Sequence, residues 1–475
     1  MIVRIGIAVG TLVALGVPAL VFAQDTPPLQ RSPLDPGADS RFSIFDSGPR
    51  PPENPGSRIG NQPVPEINLS GSLRLEYLFR DSAIEGLRAR LNGAAPPGGD
   101  DSFITGESRL RLDLNLAERG RLAMELANLP YDGGQDLPLA GGGAPDILLR
   151  QLYADIEGVF HDDLTLRVGA FDYAWRIRPH DEPFLLDLGR SEPFFASSSA
   201  RFTRATADRE IALPGGALLK WHAGDFVEVE ALWMTVLEGG PASRDEALGA
   251  LLANFPLSER SAVFLGALHV AGPGDGRVTT AGGGIDAYFG PDRELELFGE
   301  AWFQSGRLTS GVSKRAWAGR AGARVVAGDW STEVSADYVS GDRDPADGRD
   351  EGFQSYEGRE RFRIVESAEF GLDWDTNLSS MRLSGVRQLG SGVSLRLDVG
   401  RFRLPEPAVD GAGAPLGIGK DLGTEADLTL SAGISKAVEV WATAAALFGS
   451  KALEAASPDG DRAAILAALG ISVKW

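Results

Sequence analysis

Arginines and carboxylates share short segments of this chain, spaced two residues apart with an apolar side chain between them. In Ser108-Arg109-Leu110-Arg111-Leu112-Asp113 every second position is charged, and Arg74/Glu76 and Arg396/Asp398 repeat the spacing. Guanidiniums set in a row attract carboxylates and can pass them from one to the next if no site holds too tightly. The same face also carries acids, among them Glu107, Asp113, Glu228, Glu230, Glu296, Glu300, Glu333, Asp337 and Asp427. A second reading therefore stays open, in which arginine and glutamate pair with each other and solvate a wet surface.

Other chemistry finds little support. The chain has no cysteine, which removes disulfides, thiolate metal sites and a thiol nucleophile. His161, His180, His222 and His269 are scattered, and nothing ties either strand histidine, His222 or His269, to a serine. Neither Gly-x-Ser-x-Gly nor His-Glu-x-x-His occurs. Gly411-Ala412-Gly413 lacks the strand before and helix after that a phosphate cradle needs. The acidic run Asp342, Asp344, Asp347, Asp350, Glu351 fails as a calcium loop, with Ala346 at its fifth position and Asp347 at its sixth, so a solvated surface loop is expected. No enzyme activity, cofactor or metal is expected.

The elements that carry the charges alternate with period two. Leu69, Leu73, Leu75, Tyr77 and Phe79 oppose Ser70, Ser72, Arg74, Glu76 and Arg80; Leu395, Leu397 and Val399 oppose Ser394, Arg396 and Asp398. A strand separates such sets onto two faces, whereas a helix mixes them. Roughly 16 to 19 such segments occur, many of about 10 to 13 residues, the length of a tilted membrane-spanning strand. Tight turns at Gly224-Asp225, Gly290-Pro291-Asp292 and Gly328-Asp329 contrast with long polar loops at 81–102, 130–145, 342–360 and 404–421. The expected fold is all-β: a transmembrane antiparallel barrel of about 18 strands (16–18), apolar outside and wet within, over 67–475. Closure also protects edges that lipid would not tolerate. Residues 247–257 and 378–388 alternate weakly. Residues 176–199 break the pattern, and either a loop folded into the mouth or an ordinary surface loop fits them. A soluble sandwich would also alternate; a propeller would need a blade-length repeat, which is not seen.

The two ends agree with export. Residues 1–23 combine Arg4, an apolar run and Ala23, as a signal peptide does. Residues 24–66 are dense in proline and are expected to form a disordered periplasmic tail. Leu469, Ile471, Val473 and Trp475 alternate strictly to the last residue, which places Trp475 in an interfacial aromatic belt. The expected location is the bacterial outer membrane, and the expected partners are its lipid and lipopolysaccharide and the barrel-assembly machinery, which reads such a final strand. A net charge of −20 argues against nucleic acid.

Several segments resemble the alginate export family of outer-membrane porins. Phe298-Gly299-Glu300-Ala301-Trp302-Phe303-Gln304-Ser305-Gly306 is similar to its glutamate, aromatic, glutamine, glycine strand. Asp337-Tyr338-Val339-Ser340-Gly341-Asp342 resembles its Ser-Gly-Asp strand end, with Phe353 and Tyr356-Glu357-Gly358 in the loop that follows. Arg401-Phe402-Arg403-Leu404 and Leu422-Gly423-Thr424-Glu425-Ala426-Asp427-Leu428 are similar to its closing strands, and Arg150-Gln151-Leu152-Tyr153 and Leu166-Arg167-Val168-Gly169 to its fourth and fifth. One departure stands out: Ala170-Phe171 follows Gly169 where the family often has Arg-Gln.

The resemblance implies an 18-stranded porin passing an anionic, alginate-like polysaccharide, or small anionic solutes, by diffusion along an arginine-lined constriction. Combined with alternation, it nominates Arg74, Arg109, Arg111, Arg150, Arg167, Glu300, Arg382 and Arg396 as pore-lining residues. Arg150 shares its parity with Leu152 and Ile156, so a bulge is needed to turn it inward. The alternative is a barrel with a mainly surface-binding or structural role and no conduction.

Overall fold

The structure is a computed structural model. It describes residues 58–59, 62–63, 66–91, 101–116, 119–128, 148–171, 173, 175, 215–224, 226–237, 246–258, 261–272, 275–290, 295–344, 346–354, 361–367, 372, 374, 376–390, 392–409, 416–456 and 462–475. The proposed signal peptide, most of the proline-rich tail and the irregular stretch 176–199 lie outside these. Within the tail, Arg58–Ile59 pairs with Gln62–Pro63, a short hairpin in a segment expected to be disordered.

The first strands are β1 (Glu66–Arg80), β2 (Asp101–Asn115), β3 (Gly120–Asn128), β4 (Leu148–Glu157), β5 (Leu164–Ala170) and β6 (Gly215–Ala223). Next come β7 (Val227–Leu237), β8 (Glu246–Ser258), β9 (Ser261–Ala271), β10 (Arg277–Phe289), β11 (Leu295–Thr309) and β12 (Val312–Ala327). The last are β13 (Trp330–Val339), β14 (Leu378–Gly390), β15 (Val393–Arg403), β16 (Asp421–Gly433), β17 (Val438–Phe448) and β18 (Ala463–Lys474). Among the described residues these 18 strands pair antiparallel with their neighbours and close, β18 against β1. The weakly alternating 247–257 and 378–388 are full strands, β8 and β14.

Connections sort into two ends. Turns such as 224–226, 328–329 and 434–437 are short, while 81–100, 171–214, 340–377 and 404–420 are long. Short turns face the periplasm and long loops the exterior in barrels of this kind.

Leu69, Leu75, Tyr77, Ile104, Leu265, Leu383, Leu428 and Leu469 are exposed on the outer face. Outward-facing aromatics gather toward both rims: Trp221, Phe289, Trp330 and Trp475 at the short-turn end, Tyr77, Trp317 and Phe448 at the other. This is the double aromatic belt of a membrane barrel. The seam is tied by Trp475, whose backbone N–H and C=O both bond Gly71 at 3.1 Å. Its indole lies where a Cβ on residue 71 would sit, so only glycine permits the approach.

The interior is less uniformly wet than alternation suggests. Inward Leu232, Met234, Leu248, Leu252, Phe264 and Trp302 form an apolar arc over β7–β11. Phe171, Tyr173 and Trp175, just after β5, turn into the lumen and cover it; Trp175 packs edge-on to Phe264 at 5.7 Å and to Trp302 at 6.0 Å. Tyr173 donates a short hydrogen bond to Glu230. Near the outer mouth, helix α1 (Ser82–Leu91) packs against α2 (Lys451–Ala456), sealing Ile84, Leu87 and Leu453 against Leu78 and Leu466 of the seam strands. Asp81 starts α1 by accepting from the Ala83 N–H (2.9 Å), and Ser450 starts α2 by accepting from Leu453 (3.1 Å). Alternation carries no signal for interior apolar filling, because it only says which side a residue faces.

Candidate functional site: the charged lumen

The polar faces of the strands point inward. Arg74, Arg109, Arg111, Arg167, Glu300, Arg382 and Arg396 all stand on this inner face. Arg150 falls where the ladder slips: Glu125 pairs Gln151, but Leu126 pairs Leu149, so residue 150 is the extra one of a bulge. Leu149 and Leu152 both face out around it, while the direction of the Arg150 side chain lies outside the described residues.

Each of the other six arginines has its own carboxylate. Arg74 binds Glu76 (2.6 Å), Arg111 binds Asp113 (2.8 Å), Arg396 binds Asp398 (2.6 Å), and Arg109 pairs closely with Glu107. These pairs run along one strand, two residues apart. Arg167 reaches across to Asp155 on β4 at 2.7 Å and stacks on Tyr153, and Arg382 meets Asp337 at 2.6 Å and Glu366. Glu300 accepts from Trp302 Nε1 at 2.7 Å and so acts as a positioning carboxylate on its own strand.

Strand register sorts the inner wall into rows. One row reads Glu296, Arg324, Glu333, Ser384, Asp398, Asp427 across β11–β16. The next, one pair nearer the exterior, reads Phe298, Gly322, Ser335, Arg382, Gly400, Glu425. The Phe298 ring lies over Gly322, where a Cβ would collide with it.

The largest departure from a simple tube is the β13–β14 connection. Its start is clamped by the motif residues. Ser340 accepts from the Trp317 N–H (3.0 Å) and donates to the Glu351 carbonyl (2.6 Å). Arg349–Asp350 adds beside β12, and buried Lys314 binds Asp350 at 2.9 Å. Gln304 accepts from the Gln354 N–H (3.1 Å) and donates to its carbonyl. The acidic loop is thus docked rather than freely solvated: half-burial, then the nearby Asp350, raises the Asp342 carboxyl above its ordinary range.

Residues 361–366 of the same connection form a tight turn deep in the lumen, a strap held along the wall from β13 to β1. On one side Arg361 binds Glu333 at 2.6 Å, and the other oxygen of Glu333 holds Arg324 at 2.9 Å. On the other, the N–H of Arg363 donates to Asp427 (2.9 Å), and those of Ile364 and Val365 donate to the two oxygens of Glu425 (2.6 and 2.9 Å). Arg363 also reaches Glu76 of β1 at 3.5 Å, Glu366 holds Arg382, and Phe362 packs edge-on to Phe402 at 4.9 Å. Each such hydrogen bond contributes about 0.5–1.5 kcal/mol, so three backbone donors together hold the strap on β16. Between this turn and the wall lies a cavity of ≈ 20 Å³, room for about one water, lined by Arg324, Ser331, Glu333, Arg361, Ser384, Val386 and Arg396.

Sequence reasoning missed Arg320 and Arg324, although extending the parity of Lys314 along β12 reaches both. Arg361, Arg363 and Glu366 left no such signal, because the strap has no periodicity. Among the described residues no cluster of three or more histidine or acidic side chains is arranged to hold a metal.

A closed barrel with an apolar, aromatic-belted exterior and a charged lumen into which one loop folds is built as an outer-membrane porin. Residues 169–460, more than half of the chain, match the family described as Alginate export. The chain belongs to the alginate export family, and its place is the bacterial outer membrane. Similar solved structures include the outer-membrane protein opdK from Pseudomonas aeruginosa, and OccK5 (OpdH) and OccK2 (OpdF) of the same organism, the last in complex with glucuronate. Each is 13% identical, with a TM-score of 0.52 and coverage of 86% of this chain and 98% of the other. No curated protein matches this chain.

Proposed function

We propose that this porin is a passive diffusion channel for anionic solutes of sugar-acid size, without catalysis. The observation that carries the reading is the band of inward guanidiniums on β1–β5, Arg74, Arg109, Arg111, Arg121 and Arg167, each already neutralised in part by a carboxylate. A paired guanidinium attracts an anion less strongly than a bare one. Weak, repeated sites suit conduction, which needs entry without trapping. Family membership supports an anionic substrate, and the similar OccK2 was solved with glucuronate.

Reversal potentials in a salt gradient test this. Replacing Arg109 and Arg111 together with glutamine is expected to shift the preference toward cations; an unchanged potential would leave the arginines as mere solvation of the wall. We also assign export to residues 1–23, assembly recognition to the strand ending at Trp475, and lipid and lipopolysaccharide contact to the outer face.

A further inference from the structure

The outer face does not stay apolar up to the exterior rim. Over β10–β12 the strand register stacks it in three tiers. The lowest reads Ala281, Phe303, Trp317, at the level of the exterior aromatic belt. Two residues further out stand Thr279, Ser305 and Arg315, with His269 of β9 opposite Thr279 and hydrogen-bonded to it at 2.9 Å. The rim tier reads Arg277, Arg307, Ser313, and Arg349 of the docked β13–β14 connection pairs with Ser313 in turn. Two residues advance a strand by about 6–7 Å. The wall therefore passes from aromatic to hydroxyl to guanidinium over the depth at which acyl chains give way to headgroups.

All four arginines are exposed on this face. Arg277 stands directly opposite Arg307, an arrangement that like charges disfavour. The inward arginines have carboxylates of their own, but among the described residues none holds Arg277, Arg307 or Arg315. Asp350 turns inward to Lys314, Glu351 lies 3.7 Å from Arg349, and Asp275 sits in the turn before Arg277. Three guanidiniums are thus left to an anion from outside the chain. We propose that Arg277, Arg307 and Arg315 bind the phosphate of an outer-leaflet glycolipid, the phosphorylated glucosamine of lipopolysaccharide. The proposal rests on the lipopolysaccharide contact assigned to the outer face and gives it a defined site. Guanidinium forks match phosphate oxygens, the hydroxyls of Ser305 and Ser313 suit the sugar, and Phe303 and Trp317 meet the acyl chains below. A free phosphate would use the arginines but not the aromatic tier.

Native mass spectrometry of the detergent-solubilised full-length protein tests this, each variant first shown to be folded by heat-modifiable migration. The probes are diphosphoryl lipid A, the same lipid stripped of its phosphates, and inorganic phosphate. The diphosphoryl lipid is expected to bind about tenfold more tightly than the stripped one, and inorganic phosphate at equal concentration not to displace it. Arg277→Gln with Arg307→Gln should weaken binding of the diphosphoryl lipid about tenfold and leave the stripped lipid unaffected. Arg315→Gln should act in the same direction. Arg401→Gln, at the same rim but paired with Asp421 at 2.8 Å, should bind as the parent does. The site is overturned if the parent holds both lipids equally, if inorganic phosphate displaces the lipid, or if Arg401→Gln weakens binding as much as the patch variants. A parent that holds neither lipid would remove the lipopolysaccharide contact itself; one whose preference for the phosphorylated lipid survives the patch substitutions would remove only the site.

Discussion

Single residues decide where charge sits in this lumen, and most were legible from parity alone. Arg74, Arg109, Arg111, Arg167, Arg382 and Arg396 face inward because each is an even step from polar neighbours on a strand. Parity could not show that Arg74, Arg109, Arg111 and Arg396 would pair along their own strands, which depends on rotamers. Arg150 required a bulge, and the ladder has one there. Close contacts at glycine were not readable either, since Gly71 matters only through the Trp475 ring that covers it. A Gly71→Val substitution should displace that ring and weaken the seam. Heat-modifiable migration is the measure: the variant's compact band should be lost at a lower temperature than the parent's. An unchanged transition would mean that the Trp475 contact is not needed for closure.

At the level of elements, strands were legible and the connections were not. Residues 176–199, which fit either an inward or a surface loop, lie outside the described residues; the described loop that enters the lumen is the β13–β14 connection, whose residues 342–360 read as an ordinary polar loop. Its composition is polar because its backbone donors and arginines meet wall carboxylates, a pattern indistinguishable in sequence from solvation. The resemblance motifs acquire a structural meaning here, as Gln304 and Ser340 clamp the base of the loop. Gln304→Leu should loosen it, and faster external proteolysis within 340–377 would register the change; parental cutting would contradict the clamp. The raised Asp342 carboxyl has a definite sign. Its protonated form is the one the docked loop favours, so this contribution is complete below the ordinary carboxylate range and fades as pH climbs through the raised value. Asp342→Asn, which cannot charge, should therefore slow proteolysis of the loop at neutral pH, and equal rates would show that the Asp350 repulsion has no effect on docking.

For the whole molecule, the decisive physics is the inversion of solvent. Outward leucines and an aromatic belt at each rim suit lipid, and 18 strands closed on themselves leave no edge unpaired in it. The interior departs from a plain aqueous tube through the apolar arc under Trp175 and the turn at 361–366, and both are long-range packing that local periodicity does not encode. What remains is a charged lumen inside a sealed wall, and conduction is the function proposed for it. Recording from the purified full-length chain in a planar bilayer tests this most directly. Stepwise, long-lived ionic currents are predicted on insertion, and a folded, inserted barrel that stays electrically silent would contradict the account.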